Sequence, residues 1–242
     1  MMHICLLAMK QGIAVSPDTN QITEFPTSRH EFFLRGPAGK LECVSDVPDP
    51  EDERPATIVI CHPHPEHGGT MHNKVVTIME RSMRELGLRT IRFNFRGAGE
   101  SEGEHDEGYG ETDDLFAVTE WVRHSRPNDE LWLGGFSFGS YITARAAQNL
   151  KLGQLITIAP PVDRYEFSKV QHPDCPWLVV QGDEDEVVCL EDVACWIEDL
   201  EPPLPEFLVM EQAGHFFHRR LMDLRGLLKN GVRANLPEKV SP

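Results

Sequence analysis

The chain has 242 residues, 40% of them hydrophobic and 26% charged, a globular mix that excludes wholesale disorder. Its 23 Lys and Arg stand against 39 Asp and Glu, a formal net charge of −16. No basic run interrupts that balance, so the sequence argues against nucleic acid or an anionic membrane surface as a partner.

The length suits one domain with a large core. The opening Met1 to Lys10 holds a short apolar run with no basic segment before it, so no secretory signal is expected. No window approaches the ~18 apolar residues that span a bilayer. The six cysteines (Cys5, Cys43, Cys61, Cys175, Cys189 and Cys195) form no C-x-x-C pair, and several fall in apolar runs. Reduced thiols and a cytoplasmic location are the expectation.

Residues 1–29 are polar, broken by Pro17 and Pro26, and read as a loose arm. Two short strands, His30 to Arg35 and Lys40 to Val44, flank Gly36-Pro37-Ala38-Gly39 as a hairpin. The acidic, proline-rich Asp46 to Pro55 is a surface loop. From Thr57 the pattern becomes short apolar runs separated by helical periodicity, the mark of strands covered on both faces. The runs are Thr57 to Cys61, Thr90 to Phe95, Leu131 to Leu133, Leu155 to Ile158, Trp177 to Val180 and Phe207 to Met210. Asn73 caps a first helix ended by Gly87; Leu115, Val118, Trp121 and Val122 mark a second; a third follows Ser137. Two more are expected, at Glu191 to Leu200 and at Arg219 to Asn230, the last stopped by Gly231. The expectation is a single α/β domain over 30–232 with a tail at 233–242. Its mostly parallel sheet places a ligand site beyond the carboxyl ends of the strands.

Gly135-Phe136-Ser137-Phe138-Gly139 stands between a strand and a helix, the context a G-x-S-x-G turn needs to present a serine nucleophile. Taken alone the pentapeptide is equally an ordinary glycine-rich turn. A serine hydroxyl needs a histidine base, and the base needs a carboxylate. Asp183 and Asp185 both follow the strand ending at Val180, and His215 follows the last strand. The order Ser, Asp, His is the one expected for such a sheet. An oxyanion requires two N–H donors. Phe138 supplies one; in His62-Pro63-His64-Pro65 the prolines have none, so His64 is the candidate for the other.

Together with Asn94 to Ser101 and Gly68-Gly69-Thr70-Met71-His72-Asn73-Lys74-Val75-Val76, these segments resemble the α/β-hydrolase superfamily. More narrowly they are similar to a group of small, largely uncharacterised prokaryotic hydrolases or carboxylesterases. The resemblance covers roughly Phe32 to Leu228. It implies the α/β-hydrolase fold with helices on both faces, and it favours Asp185 over Asp183 because the acid usually stands in G-x-x-D. The family often carries a histidine where this chain has Gln181, a departure expected to touch no catalytic role.

His62, His64, His67 and His72 also admit a metal reading, but no cysteine or Asp accompanies them at zinc-like spacing, so neither metal nor cofactor is expected. His218 is a less favoured base, expected at the surface before the last helix. Arg96 to Ser101 lacks the G-K-[ST] of a phosphate loop and precedes an acidic run, Glu100 to Glu107, read as solvated surface. Phe136 and Phe138 should pack the elbow, and Phe216 or Phe217 either packs or walls the acyl pocket. Only Val162 to Asp174 separates two strands where relatives insert a cap. A lidless, open site follows, with Tyr165 and Phe167 as a small lip. The expected activity is hydrolysis of carboxylic esters or thioesters through Ser137, His215 and Asp185. Acyl transfer, amide cleavage and a non-catalytic binding scaffold are the alternatives. Acidic runs close to the site predict neutral or cationic substrates unless Arg96 or Lys74 offsets them.

Overall fold

The computed structural model describes residues 22–239; Cys5 and residues 1–21 of the expected arm lie outside them, as do 240–242 of the tail. Eight strands form one sheet: β1 His30–Gly36, β2 Gly39–Asp46, β3 Ala56–Cys61, β4 Arg89–Phe93, β5 Glu130–Phe136, β6 Gln154–Ile158, β7 Trp177–Gly182 and β8 Glu206–Met210. Their spatial order is β1-β2-β4-β3-β5-β6-β7-β8. The hairpin β1/β2 and the β2/β4 pair are antiparallel, and every other pair is parallel.

Five α-helices cover the sheet among the described residues: α1 Lys74–Arg84, α2 Tyr109–Ser125, α3 Phe138–Ala147, α4 Leu190–Glu198 and α5 Leu221–Gly231. Alternation along each strand feeds two cores. Val59 and Leu133 face one layer with Val118 of α2, Ile142 of α3 and Val193 of α4. Ile58, Ile60 and Trp132 face the other with Val76 of α1 and Leu224 of α5. Each such fully buried side chain contributes ~1.5–3 kcal/mol, so strands with no polar face are tied down from both sides. None of these helices is long and apolar enough to cross a membrane.

Among the element boundaries that differ from expectation, two have a packing cause. α5 includes Gly231 rather than ending before it. A Cβ there would meet Leu178 at 2.9 Å, so this glycine lets the helix lie close on β7. Tyr109 begins α2 well before Leu115, the first apolar position of its periodicity, because its first turns bury polar Glu111, Thr112 and Asp114. Residues 22–29 dock on α2: Phe25 lies 5.5 Å from the Trp121 ring, and the Trp121 indole donates to Ile22 O at 2.6 Å. In the tail, Asn235 donates to Gln154 at 2.8 Å.

The sheet starts at β3 and is extended first to one side by β4 and then to the other by β5. That reversal opens a crevice between the carboxyl ends of β3 and β5, where Cys61 pairs with Gly135.

Candidate active site

Ser137 sits at the crevice with φ 54° and ψ −120°, a backbone conformation that costs a non-glycine residue ~1–3 kcal/mol. Its surroundings enforce the conformation. Ser137 N donates to Ile158 O at 2.8 Å, and the Ser140 hydroxyl, one turn on, bonds Gly135 O and Ile158 O. The two flanking glycines are required by space. A Cβ on Gly135 would stand 2.2 Å from Gly139 O, and one on Gly139 would stand 2.4 Å from Cys61 O. The turn can therefore be this sharp, and α3 can start this close to β3, only without those side chains.

The loops after β7 and β8 meet in front of the elbow. His215 Nε2 lies 3.1 Å from Ser137 Oγ, and His215 Nδ1 lies 2.9 Å from Asp185 Oδ2 and 3.1 Å from Oδ1. A carboxylate only accepts, so Nδ1 carries the proton and Nε2 keeps the lone pair turned to the serine. Asp185 also accepts from Val187 N and Val188 N, both at 2.8 Å, and from the Gln181 amide at 3.0 Å. Burial alone pushes the Asp185 carboxyl up, but the His215 bond and the Val188 and Val187 N–H groups outweigh it and hold its pKa below the usual value. Asp183 accepts only a long 3.4 Å bond from Ala213 N, bracing the histidine loop. Glu186 accepts from His215 N at 3.1 Å and does the same from the other side.

Gln181 corrects one expectation. Its amide touches the Asp185 carboxylate and also donates to Val188 O at 2.9 Å, so the position where the resemblance implies a histidine contacts the candidate acid directly. Sequence spacing concealed this because the contact depends on the chain turning back after Gly182.

The loop after β3 brings His64 to the other side of the serine. Its ring centroid lies 5.1 Å from that of Phe138. Neither His64 N–H nor Phe138 N–H donates to any described residue. The loop is held by His62, fully buried, whose Nδ1 donates to Pro63 O at 2.6 Å while Nε2 accepts from Phe95 N at 3.0 Å. Burial pushes the His62 pKa down to about 4, so the ring is neutral and can do both. His72 and His218 are exposed.

Ser137, His215, His64 and Phe138 share a cleft of about 280 Å³, walled further by Tyr165 and Phe216. A larger hollow of about 700 Å³, between the 162–172 segment and α4, contains none of the four. Phe216 thus walls the cleft while Phe217 is buried. Phe136 packs under His215, with ring centroids 5.1 Å apart. Phe167 is not part of a lip: it is buried against Trp196 and Tyr141, leaving Tyr165 at the rim. The 162–174 segment holds a single short turn of 3-10 helix, Phe167–Lys169, in place of a cap.

The acidic runs do stand close to the site, but they do not line it. Among the described residues no Asp or Glu walls the cleft, whereas Arg164, His64 and His67 do. Arg96 is not the offsetting cation, since Asp114 takes its Nε at 3.0 Å and its Nη2 at 2.7 Å. Arg164 was missed because nothing in its local sequence distinguishes it. It reaches the cleft by donating to Val187 O at 2.9 Å, across two loops.

Residues 56–164 match the α/β hydrolase fold family. The chain is 51% identical to XC6422 of Xanthomonas campestris, described as an α/β serine hydrolase without a lid, with TM-score 0.86 over 90% of this chain and 99% of that one. An α/β serine hydrolase homologue of Coxiella burnetii is 48% identical, with TM-score 0.83 over 86% of this chain and all of that one. The uncharacterized protein RP471 of Rickettsia prowazekii is 32% identical across 197 residues, 77% of this chain and 82% of that protein. Strand order, the strained serine and these likenesses agree, and the chain belongs to the α/β-hydrolase family, within its small group that lacks a lid.

Proposed function

We propose that this protein is a serine hydrolase that cleaves carboxylic esters or thioesters through an acyl-enzyme. The observation that carries the reading is the unbroken hydrogen-bonded chain from Ser137 through His215 to Asp185 at the floor of an open cleft. Ser137 Oγ attacks the carbonyl carbon as His215 Nε2 takes its proton. Asp185 stabilises the resulting imidazolium, and the free N–H groups of His64 and Phe138 receive the oxyanion. The proton passes from His215 to the departing alcohol or thiol. Water, deprotonated in turn by His215, then releases the carboxylic acid. All of this uses side chains and backbone of the one domain spanning 30–232, with no cofactor taking part.

The similarity to chains described as α/β serine hydrolases favours water as the acceptor, so hydrolysis is preferred to acyl transfer. The experiment is labelling with a fluorophosphonate probe together with turnover of short-chain p-nitrophenyl esters and thioesters. Wild type is labelled and turns over, and Ser137→Ala does neither. Undiminished labelling of the variant would place the nucleophile elsewhere, and absence of both in wild type would favour a binding scaffold.

A further inference from the structure

We propose that His64, Glu66 and His105 form a binding site for one divalent transition-metal ion of the zinc type at the rim of the cleft. Their donor atoms all lie within 4.8 Å of one another. Two come from the turn after β3, and the third comes from the loop between β4 and α2, which folds back so that the His64 and His105 rings are 4.6 Å apart. Local spacing around His62 to His72 lacked such a partner, and the fold supplies it from a distant segment.

A second feature points to a ligand. The His105 side chain is only 8% exposed, and its Nδ1 faces Glu111 Oε1 at 2.7 Å, which leaves Nε2 as the ring nitrogen turned to an ion. Glu111 is itself fully buried and held by the N–H groups of Asp106 at 2.9 Å and Gly108 at 2.8 Å. A fixed carboxylate behind an imidazole is the support that metal-bound histidines ordinarily have.

Two imidazoles and one carboxylate select the ion. They suit zinc, cobalt or nickel, whereas magnesium and calcium require oxygen ligands throughout. Zinc bonds of ~2.0–2.2 Å demand donors closer together than the present upper limit. Glu66 is exposed and free to swing inward. His64 gives up only a long 3.3 Å contact from Glu66 N–H if its ring changes tautomer. An ion held here joins the turn bearing the His64 N–H to the loop that precedes α2.

The test is titration of chelator-treated protein with Zn²⁺ by calorimetry, paralleled by Co²⁺ and its visible absorption. One equivalent should bind, with cobalt bands typical of a four- or five-coordinate ion, and Mg²⁺ should not compete. Glu66→Ala, at an exposed position, and His105→Ala should each weaken binding at least ~10-fold, and Glu111→Gln by a similar factor through His105. His218→Ala should bind as wild type does. Equal Zn²⁺ affinity in wild type and both ligand variants, or no binding by wild type, overturns the proposal.

Discussion

Asp185→Asn isolates what the carboxylate does for His215, because the structure dictates how the new amide must sit. Oδ1 receives two backbone N–H groups, from Val187 and Val188, both at 2.8 Å. Neither donor can move without unfolding the loop, so the asparagine must keep its oxygen there. Its NH2 then replaces Oδ2, facing the Gln181 amide nitrogen and His215 Nδ1, both of which are donors in the native arrangement. Gln181 cannot easily flip, because the same nitrogen also donates to Val188 O. The retained oxygen lies 3.1 Å from Nδ1 but already takes two N–H groups, so His215 is left to change tautomer: Nδ1 becomes the acceptor and the proton moves to Nε2, opposite Ser137. The base is lost with the geometry intact.

The expected loss in kcat is on the order of 10⁴, about 5 kcal/mol of transition-state stabilisation, with KM little changed. The measurement is steady-state hydrolysis of p-nitrophenyl acetate and butyrate from pH 6 to 10, where residual activity should climb as hydroxide substitutes for the missing base. Asp183→Asn, which disturbs only the long bond to Ala213 N, serves as the control and should stay within ~3-fold of wild type. Activity of Asp185→Asn within tenfold of wild type, or a larger loss in Asp183→Asn, would refute this assignment of the acid.

Three further outcomes follow from the same geometry. Gly139→Ala places a Cβ 2.4 Å from Cys61 O and 2.7 Å from His62 O, both backbone atoms, so urea denaturation should show a loss of ~1–3 kcal/mol accompanied by reduced turnover. His62 binds protons less readily folded, at about 4, than unfolded, near 6.5. Its contribution is complete above pH 6.5 and disappears as pH falls toward 4, so between pH 7.5 and 4.5 wild type should lose ~2–3 kcal/mol more than His62→Gln does; parallel losses in the two proteins would contradict this. With Arg164 on the cleft wall and no carboxylate lining it, Asp163 standing 3.6 Å from the Arg164 guanidinium, an ester ending in a carboxylate should match its neutral methyl ester in kcat/KM. Arg164→Ala should reduce only the charged substrate, by ~3- to 5-fold for so exposed a cation; equal effects on both would remove Arg164 from recognition.

Much of the architecture was legible because the central strands β3 to β7 are buried on both faces, which writes each as an apolar run, and because the elbow, Asp185 and His215 each follow an apolar run. What remained hidden depends on contacts between loops. Gln181 reads as strand, and its amide becomes functional only when the Gly182 turn carries Asp185 back over it. The start of α2 was invisible to hydrophobic periodicity because Glu111 and Asp114 are buried for their oxygens, as acceptors for neighbouring loops, rather than for apolar contact. Phe167 looked like a rim residue and is core, since the short turn it begins folds inward onto Trp196.

The charge of the chain takes its meaning from the same loops. Acidity close to a site suggests repulsion of anionic substrates, but several of the carboxylates around this cleft are turned into the backbone that frames it, while Glu66 and Asp163 stay at its rim. Glu42 takes the Asn94 amide and Glu100 N, Asp114 takes Arg96 N and its guanidinium, Glu186 takes His215 N, and Asp185 takes Val187 N and Val188 N. Each ionised oxygen is a strong acceptor, so each of these bonds is charge-assisted and shortens the excursions of the loop it holds. The negative ends of those carboxylates lie behind the loops, and the cleft walls hold unpaired N–H groups, imidazoles and one guanidinium, which Asp163 accompanies at 3.6 Å. On the proposed mechanism, a protein of net charge −16 can in this way present a cleft whose local field favours a developing oxyanion, because the sign at the reacting atoms is set by the orientation of nearby dipoles rather than by the sum over the surface.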